Sequence, residues 1–156
     1  MEYTIEKIVD NAKKTEYAGI ILNKLPEWFG NREALENYVN TVCDYPFWAA
    51  FGNDKCVGFF SAKIHYSRTG DIYVCGIDPA CHGKGIGTSL YNETEKYFRQ
   101  NGCDHVIVKT LSETAKDKNY LKTKKFYQKM GFSELITLTE MWDEENPCLI
   151  MLKCLR

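Results

Sequence analysis

Residues 82 to 87 read His82-Gly83-Lys84-Gly85-Ile86-Gly87, and this stretch decides the fold. It follows an apolar extended run, Ile72-Tyr73-Val74-Cys75-Gly76-Ile77, and a turn at Asp78-Pro79. Beyond it, Ile86, Leu90, Tyr97 and Phe98 recur on one face at helical spacing. Strand, glycine-rich turn and helix together make an anion cradle. Glycine takes positive φ and lets a ligand come close to the backbone. The free N–H groups of the first helical turn then converge, with the positive end of the helix dipole behind them. The guest this predicts is a phosphate or pyrophosphate.

Spacing selects among phosphate ligands. A Walker A loop needs Gly-Lys followed by Ser or Thr. Here Gly85 follows Lys84, so a nucleoside triphosphate loop is excluded. A dinucleotide fingerprint needs G-x-G-x-x-G. Gly83, Gly85 and Gly87 alternate strictly, so that reading fails as well.

The alternating loop resembles the Arg/Gln-x-x-Gly-x-Gly/Ala acetyl-coenzyme A loop of the GNAT N-acetyltransferases. His82 departs from it, standing where Arg or Gln is usual. A second stretch, Lys125-Phe126-Tyr127-Gln128-Lys129-Met130-Gly131-Phe132, is similar to that family's F-Y-x-x-x-G-F signature. Gly131 suits the left-handed position that ends a helix, and Phe132 begins a strand. The resemblance implies a single domain over residues 1–156, of α/β (α+β) class. Its expected core is a mixed, mostly antiparallel sheet of roughly seven strands flanked by four helices, with the fourth and fifth strands splayed.

The rest of the chain follows that order. Tyr3 to Val9 alternates and reads as a first strand. Asn11 is read as the cap of a helix to about Leu25, and Asn31 as the cap of a second through Val39. Phe47–Phe51 and Cys56–Tyr66 are strands joined by a hairpin signal, Gly52-Asn53-Asp54-Lys55. Asp71–Ile77 is the fourth strand, reached through a turn at Ser67-Arg68-Thr69-Gly70. His105–Leu111 is the fifth, and Asp117–Met130 a helix. Phe132–Met141 and Cys148–Cys154 close the order, with Trp142 to Pro147 as a long connection.

Composition fits a small soluble enzyme. Hydrophobic residues at 44% supply a core, and a net charge of -1 gives no electrostatic case for nucleic acid or an anionic membrane. No apolar run reaches membrane-spanning length, and no signal peptide is read at Met1-Glu2-Tyr3. The seven cysteines lack a C-x-x-C, which argues for reduced thiols in a cytoplasm and against a disulfide frame or a metal site. At Cys81, ahead of the loop, a reactive thiol and a plain small turn residue are both open readings.

The resemblance also assigns roles. The cofactor-binding set is Cys75, Gly76, Ile77, His82, Gly83, Lys84, Gly85, Ile86, Gly87 and Thr88, holding acetyl-coenzyme A as co-substrate. Gly76 is the expected bulge or close-approach position of the fourth strand. Tyr127 is the expected acid toward the coenzyme A thiolate, or else a core tyrosine. The general base is open: Asp71, Glu27 and His65 are candidates, and water alone is a further route. The acceptor is a primary amine of a small molecule or peptide. Leu25–Gly30 and Glu140–Pro147 are read as shaping its pocket, and the family leaves room for a homodimer. The competing reading is an acyl-coenzyme A sensor without turnover.

Overall fold

A computed structural model describes residues 2–25, 32–111, 118–143 and 146–156. The chain runs β1 (Thr4–Lys7), α1 (Asn11–Leu22), α2 (Arg32–Thr41), β2 (Phe47–Gly52), β3 (Lys55–His65), β4 (Thr69–Ile77), α3 (Ile86–Gln100), β5 (His105–Leu111), α4 (Lys118–Lys129), β6 (Ser133–Asp143) and β7 (Asn146–Cys154). The strands form one 7-stranded sheet in the order β1-β2-β3-β4-β5-β7-β6. The β4–β5 pair is parallel and the described neighbours are otherwise antiparallel. This is the mixed, mostly antiparallel sheet that the sequence predicts.

Each face of the sheet buries its own core. Trp48, Phe60, Leu90, Phe98, Val106 and Met151 pack under α3 and α4. Ile21, Leu22, Phe47, Phe59 and Val74 pack under α1 and α2. The Phe47 and Phe59 rings stack 4.9 Å apart across the β2–β3 pair. Alternation along each strand sends successive side chains to the two layers.

Several boundaries differ from expectation for local reasons. Asp10, not Asn11, caps α1, because its carboxylate accepts from the Lys13 N–H. The β3–β4 turn falls one step early, with Tyr66 and Ser67 at positive φ, so β4 starts at Thr69. The β2–β3 hairpin does turn through Asn53 and Asp54, both at positive φ, as the Asn-Asp pair predicts. β6 and β7 are longer than expected. Asp143 pairs with Asn146, so Trp142 and Pro147 belong to strands and not to a long connection.

The decisive features are in β4. Ser61 pairs with Val74 and Ala62 with Ile72, so Tyr73 is an extra residue in the strand. The bulge is therefore at Tyr73, not at Gly76. It exchanges the faces: Ile72 packs in the α3 layer, whereas Val74 packs in the α1–α2 layer. Gly76 is a close-approach position, since a Cβ there would lie 2.8 Å from Leu25 Cδ1. On the other side, β4 pairs with β5 only from Thr69 to Asp71. Beyond that point the two strands part, leaving the β5 side of residues 72 to 77 without a strand partner.

Candidate functional site

The glycine loop lies at the end of this opening. Gly83 has φ 76°, and Gly85, the residue before α3, has φ 80° and ψ 4°. Both sit in the left-handed region where a side chain is penalised. Among the described residues no side chain caps α3, so its first N–H groups take no side-chain acceptor there. Ile86 is buried and anchors the helix, while His82, Lys84 and Gly85 are exposed around it. Gly87 is pressed against Phe126, whose ring lies 3.2 Å from where a Cβ would sit. The two predicted motifs thus touch.

Contacts the sequence does not announce hold the loop. The Tyr3 hydroxyl donates to the Gly85 carbonyl at 3.2 Å and shares a 2.8 Å hydrogen bond with Ser89. A ring nitrogen of His82 lies 2.9 Å from the Ile77 carbonyl and ties the loop to the end of β4. Lys24 donates to Asp78 at 2.8 Å, which holds that carboxyl below the usual carboxylate range. Cys81 is buried in the α3 layer.

Tyr127 sits at the foot of α4, which Gly131 ends at φ 103°. Its ring packs edge-on against Phe126 and Phe132. The side chain is buried, and its hydroxyl lies 3.2 Å from the Cys75 sulfur on β4. Burial, reinforced by the nearby thiol and by the charge of Asp71, pushes the phenol well above its ordinary value. Burial also pushes the Cys75 thiol up to about 11, against a pull downward from Tyr127. Both groups therefore carry their protons at neutral pH.

Asp71 lies within β4, in register with Lys63 on β3 and Ile107 on β5, at the last pair before the strands part. It is 3% exposed, so it is not a solvated turn residue. Its Oδ2 is 2.8 Å from His65 Nε2 and 3.5 Å from Lys109 Nζ. Alternation puts Tyr73 on the same face. That ring contacts Tyr38 and Tyr45, and its hydroxyl meets Thr41 at 2.7 Å. Because of the bulge, Asp71 and Cys75 stand on opposite faces of one strand.

The structure thus brings Cys75 to Tyr127 and His65 to Asp71. Glu27 and most of Leu25–Gly30 lie outside the described residues. Glu140, Met141 and Trp142 are exposed on β6, an edge strand of the sheet. Sequence reasoning missed Tyr3, Lys109 and Thr110. Thr110 is 4% exposed on β5, past the last β4–β5 pair, on the same face as Val106 and Val108. Among the described residues its hydroxyl has no hydrogen-bond partner. Such an orphan beside an open strand edge fits a polar ligand. Among the described residues no cluster could hold a metal ion, and no helix is long and apolar enough to cross a membrane.

Comparisons with known proteins agree with this geometry. The model of the acetyltransferase (GNAT) family matches residues 17–132. A mycothiol acetyltransferase of Saccharopolyspora erythraea is 38% identical over 60 residues, which are 38% of this chain and 20% of that protein. The matches span 15% to 30% of the length of such mycothiol acetyltransferases. A GNAT-family acetyltransferase of Desulfovibrio desulfuricans superposes with a TM-score of 0.85 at 17% identity, over 99% of this chain and 100% of that one. An aminoglycoside 6'-N-acetyltransferase solved with coenzyme A gives 0.69 at 20% identity, over 99% of this chain and 97% of that one. By its family match, its fold and the two motifs that meet at Gly87 and Phe126, the chain belongs to the GNAT acetyltransferase family.

Proposed function

We propose that the protein is an N-acetyltransferase that moves an acetyl group from acetyl-coenzyme A to a primary amine in a ternary complex. The observation that carries this reading is the pairing of two proton-handling groups across the bulge of β4. Asp71 lies on one face, and Tyr127 is bonded to Cys75 on the other. The opening between β4 and β5 has an unpaired strand edge for the pantetheine amides, as an added strand would use. The α3 N-terminus with Gly83 and Gly85 suits the pyrophosphate. The Thr110 hydroxyl gives the opening a polar contact. Bound there, acetyl-coenzyme A supplies the activated acyl group.

The residues divide the remaining work. Asp71, buried within β4, takes a proton from the acceptor ammonium, which must be neutral to attack. A backbone N–H near Cys75–Ile77 polarises the acyl oxygen. Tyr127 holds its proton more tightly than a thiol does, so it acts first as a hydrogen-bond donor to the departing sulfur and yields the proton late. A sensor without turnover would not need a carboxylate buried at that position.

The test is a panel of primary amines, from amino acids to polyamines, aminoglycosides and peptide N-termini, with free thiol release as the readout. Acetyl-coenzyme A raises the melting temperature, and at least one amine accelerates thiol release well above the amine-free rate. Binding with no accelerating amine would favour the sensor.

The same reading makes Thr110→Val informative. The substitution keeps the shape and removes a buried hydroxyl that has no partner among the described residues, worth about 1–3 kcal/mol when left unpaired. The free protein gains stability while the melting shift caused by acetyl-coenzyme A shrinks. Equal ligand shifts in both proteins would remove Thr110 from the binding site.

A further inference from the structure

Transfer to a protonated amine releases one proton net, because the ammonium loses two protons and the thiol product keeps one. Resting on the transferase reading above, we infer that His65 carries this proton from Asp71 to solvent. Asp71 is where the proton first lands, and its side chain is only 4% exposed, so it cannot hand the proton directly to water. His65 is the nearest group that can: its Nε2 is 2.8 Å from Asp71 Oδ2, and its side chain is 33% exposed. Lys109 is the other polar contact of that carboxylate, at 3.5 Å and 34% exposed. As a cation it balances Asp71 but has no lone pair with which to accept a proton.

The route balances. An N–H bond of the ammonium breaks and an O–H bond forms on Asp71. The nitrogen lone pair makes the N–C bond as the C–S bond breaks, the second N–H proton replaces the one Tyr127 gives to sulfur, and the proton on Asp71 passes to His65 Nε2. The imidazole then releases its Nδ1 proton to water. Release of the Nδ1 proton leaves Nε2–H donating to Asp71, as in the 2.8 Å contact of the free protein. Before the next cycle that proton exchanges with solvent and the ring takes the Nδ1–H tautomer, which frees the Nε2 lone pair.

The surroundings suit a single exit. Among the described residues, Lys63 of β3, Tyr73 of β4, Lys109 and His105 of β5, Cys148 of β7, Tyr38 of α2 and Tyr45 just before β2 are other titratable groups on this side. Lys63 is turned over the Tyr45 ring at 5.3 Å. His105 is bonded to Thr69 at 2.8 Å and Tyr73 to Thr41, so each is engaged away from Asp71. The β3–β4 turn places His65 at the margin of the sheet, where water reaches it. His65 is a positioning and relay residue, since it touches Asp71 and not the acyl group.

The test is His65→Gln, whose amide can still donate to Asp71 but cannot carry a proton onward. At low buffer concentration kcat falls roughly 10-fold or more. KM for acetyl-coenzyme A and the melting shift it causes stay at wild-type values. Free imidazole, or a high concentration of a small buffer, restores the rate in a saturable way. In the cofactor-free wild type, 15N NMR shows His65 bonded through Nε2, and Asp71→Asn moves those ring resonances. A folded His65→Gln protein with wild-type kcat at low buffer, or a lost rate that no buffer restores, overturns the relay and leaves the transferase reading standing. A wild type that binds acetyl-coenzyme A yet releases no thiol with any amine overturns the transferase reading, and the relay with it.

Discussion

Gly85→Glu abolishes the thermal stabilisation that acetyl-coenzyme A gives the wild type. At a ligand concentration of 100 times Kd, binding to the native state alone is worth about 2.7 kcal/mol. For a domain of this size each kcal/mol moves the melting temperature by roughly 2–4 °C, so the wild type gains roughly 5–10 °C. The substitution acts twice at one position. Gly85 sits at φ 80°, where any Cβ is strained by roughly 1–2 kcal/mol. The new carboxylate also occupies the anion position at the start of α3 and satisfies the N–H groups that a phosphate would take. Gly85→Ala separates these effects. It keeps the strain without the charge, so the free protein melts earlier while the ligand shift persists in large part. A Gly85→Glu protein that gains as much as the wild type on adding acetyl-coenzyme A would remove this loop from the binding site.

Tyr127→Phe lowers kcat about 10-fold or more with little change in fold or cofactor affinity. The ring makes its contacts with Phe126 and Phe132 through carbon, and phenylalanine keeps them. The hydroxyl's described partner is the Cys75 sulfur at 3.2 Å, a soft acceptor. Its loss therefore costs little, near the low end of the roughly 0.5–1.5 kcal/mol that a hydrogen bond contributes. On the proposed mechanism, what disappears is the donor facing the departing thiolate. A structural tyrosine would behave in the opposite way, with a lower melting temperature and unchanged turnover per folded molecule. Both quantities, measured on one preparation with an identified acceptor, decide between them. Wild-type kcat in a folded Tyr127→Phe protein strikes Tyr127 from the catalytic list.

The fold was legible because its signals are local. Alternating glycines before an apolar helical stripe, Phe126-Tyr127 before Gly131-Phe132, and Asn53-Asp54 between two strands each state their own geometry. The geometry of the glycine loop could be read for the same reason, since a loop and the helix it opens are one continuous segment. The surroundings of Asp71 could not. Asp71 next to Gly70 reads equally well as a turn residue, and only the register with Lys63 and Ile107 shows it to be inside the sheet. Its contacts with His65 and Lys109 join three strands, and no spacing within one strand encodes that. Thr110 looks like any β-branched strand residue until the structure shows its buried hydroxyl without a hydrogen-bond partner among the described residues. Gly76 left two readings open, because a strand glycine has two uses, a bulge or a close neighbour. Leu25 and Ile21 show that the second applies.

The extra residue at Tyr73 gives β4 a change of parity. In an unbroken strand, odd-numbered positions share a side, so Asp71 and Cys75 would face the same layer. One additional backbone unit between them separates a carboxylate from a thiol–phenol pair by the thickness of the sheet. The arrangement therefore depends on a count of residues and not on the identity of the one inserted. Many side chains can stand at position 73, but shortening the segment by one would turn the far end of the strand inside out. The chemistry of this strand is written in its length as much as in its letters.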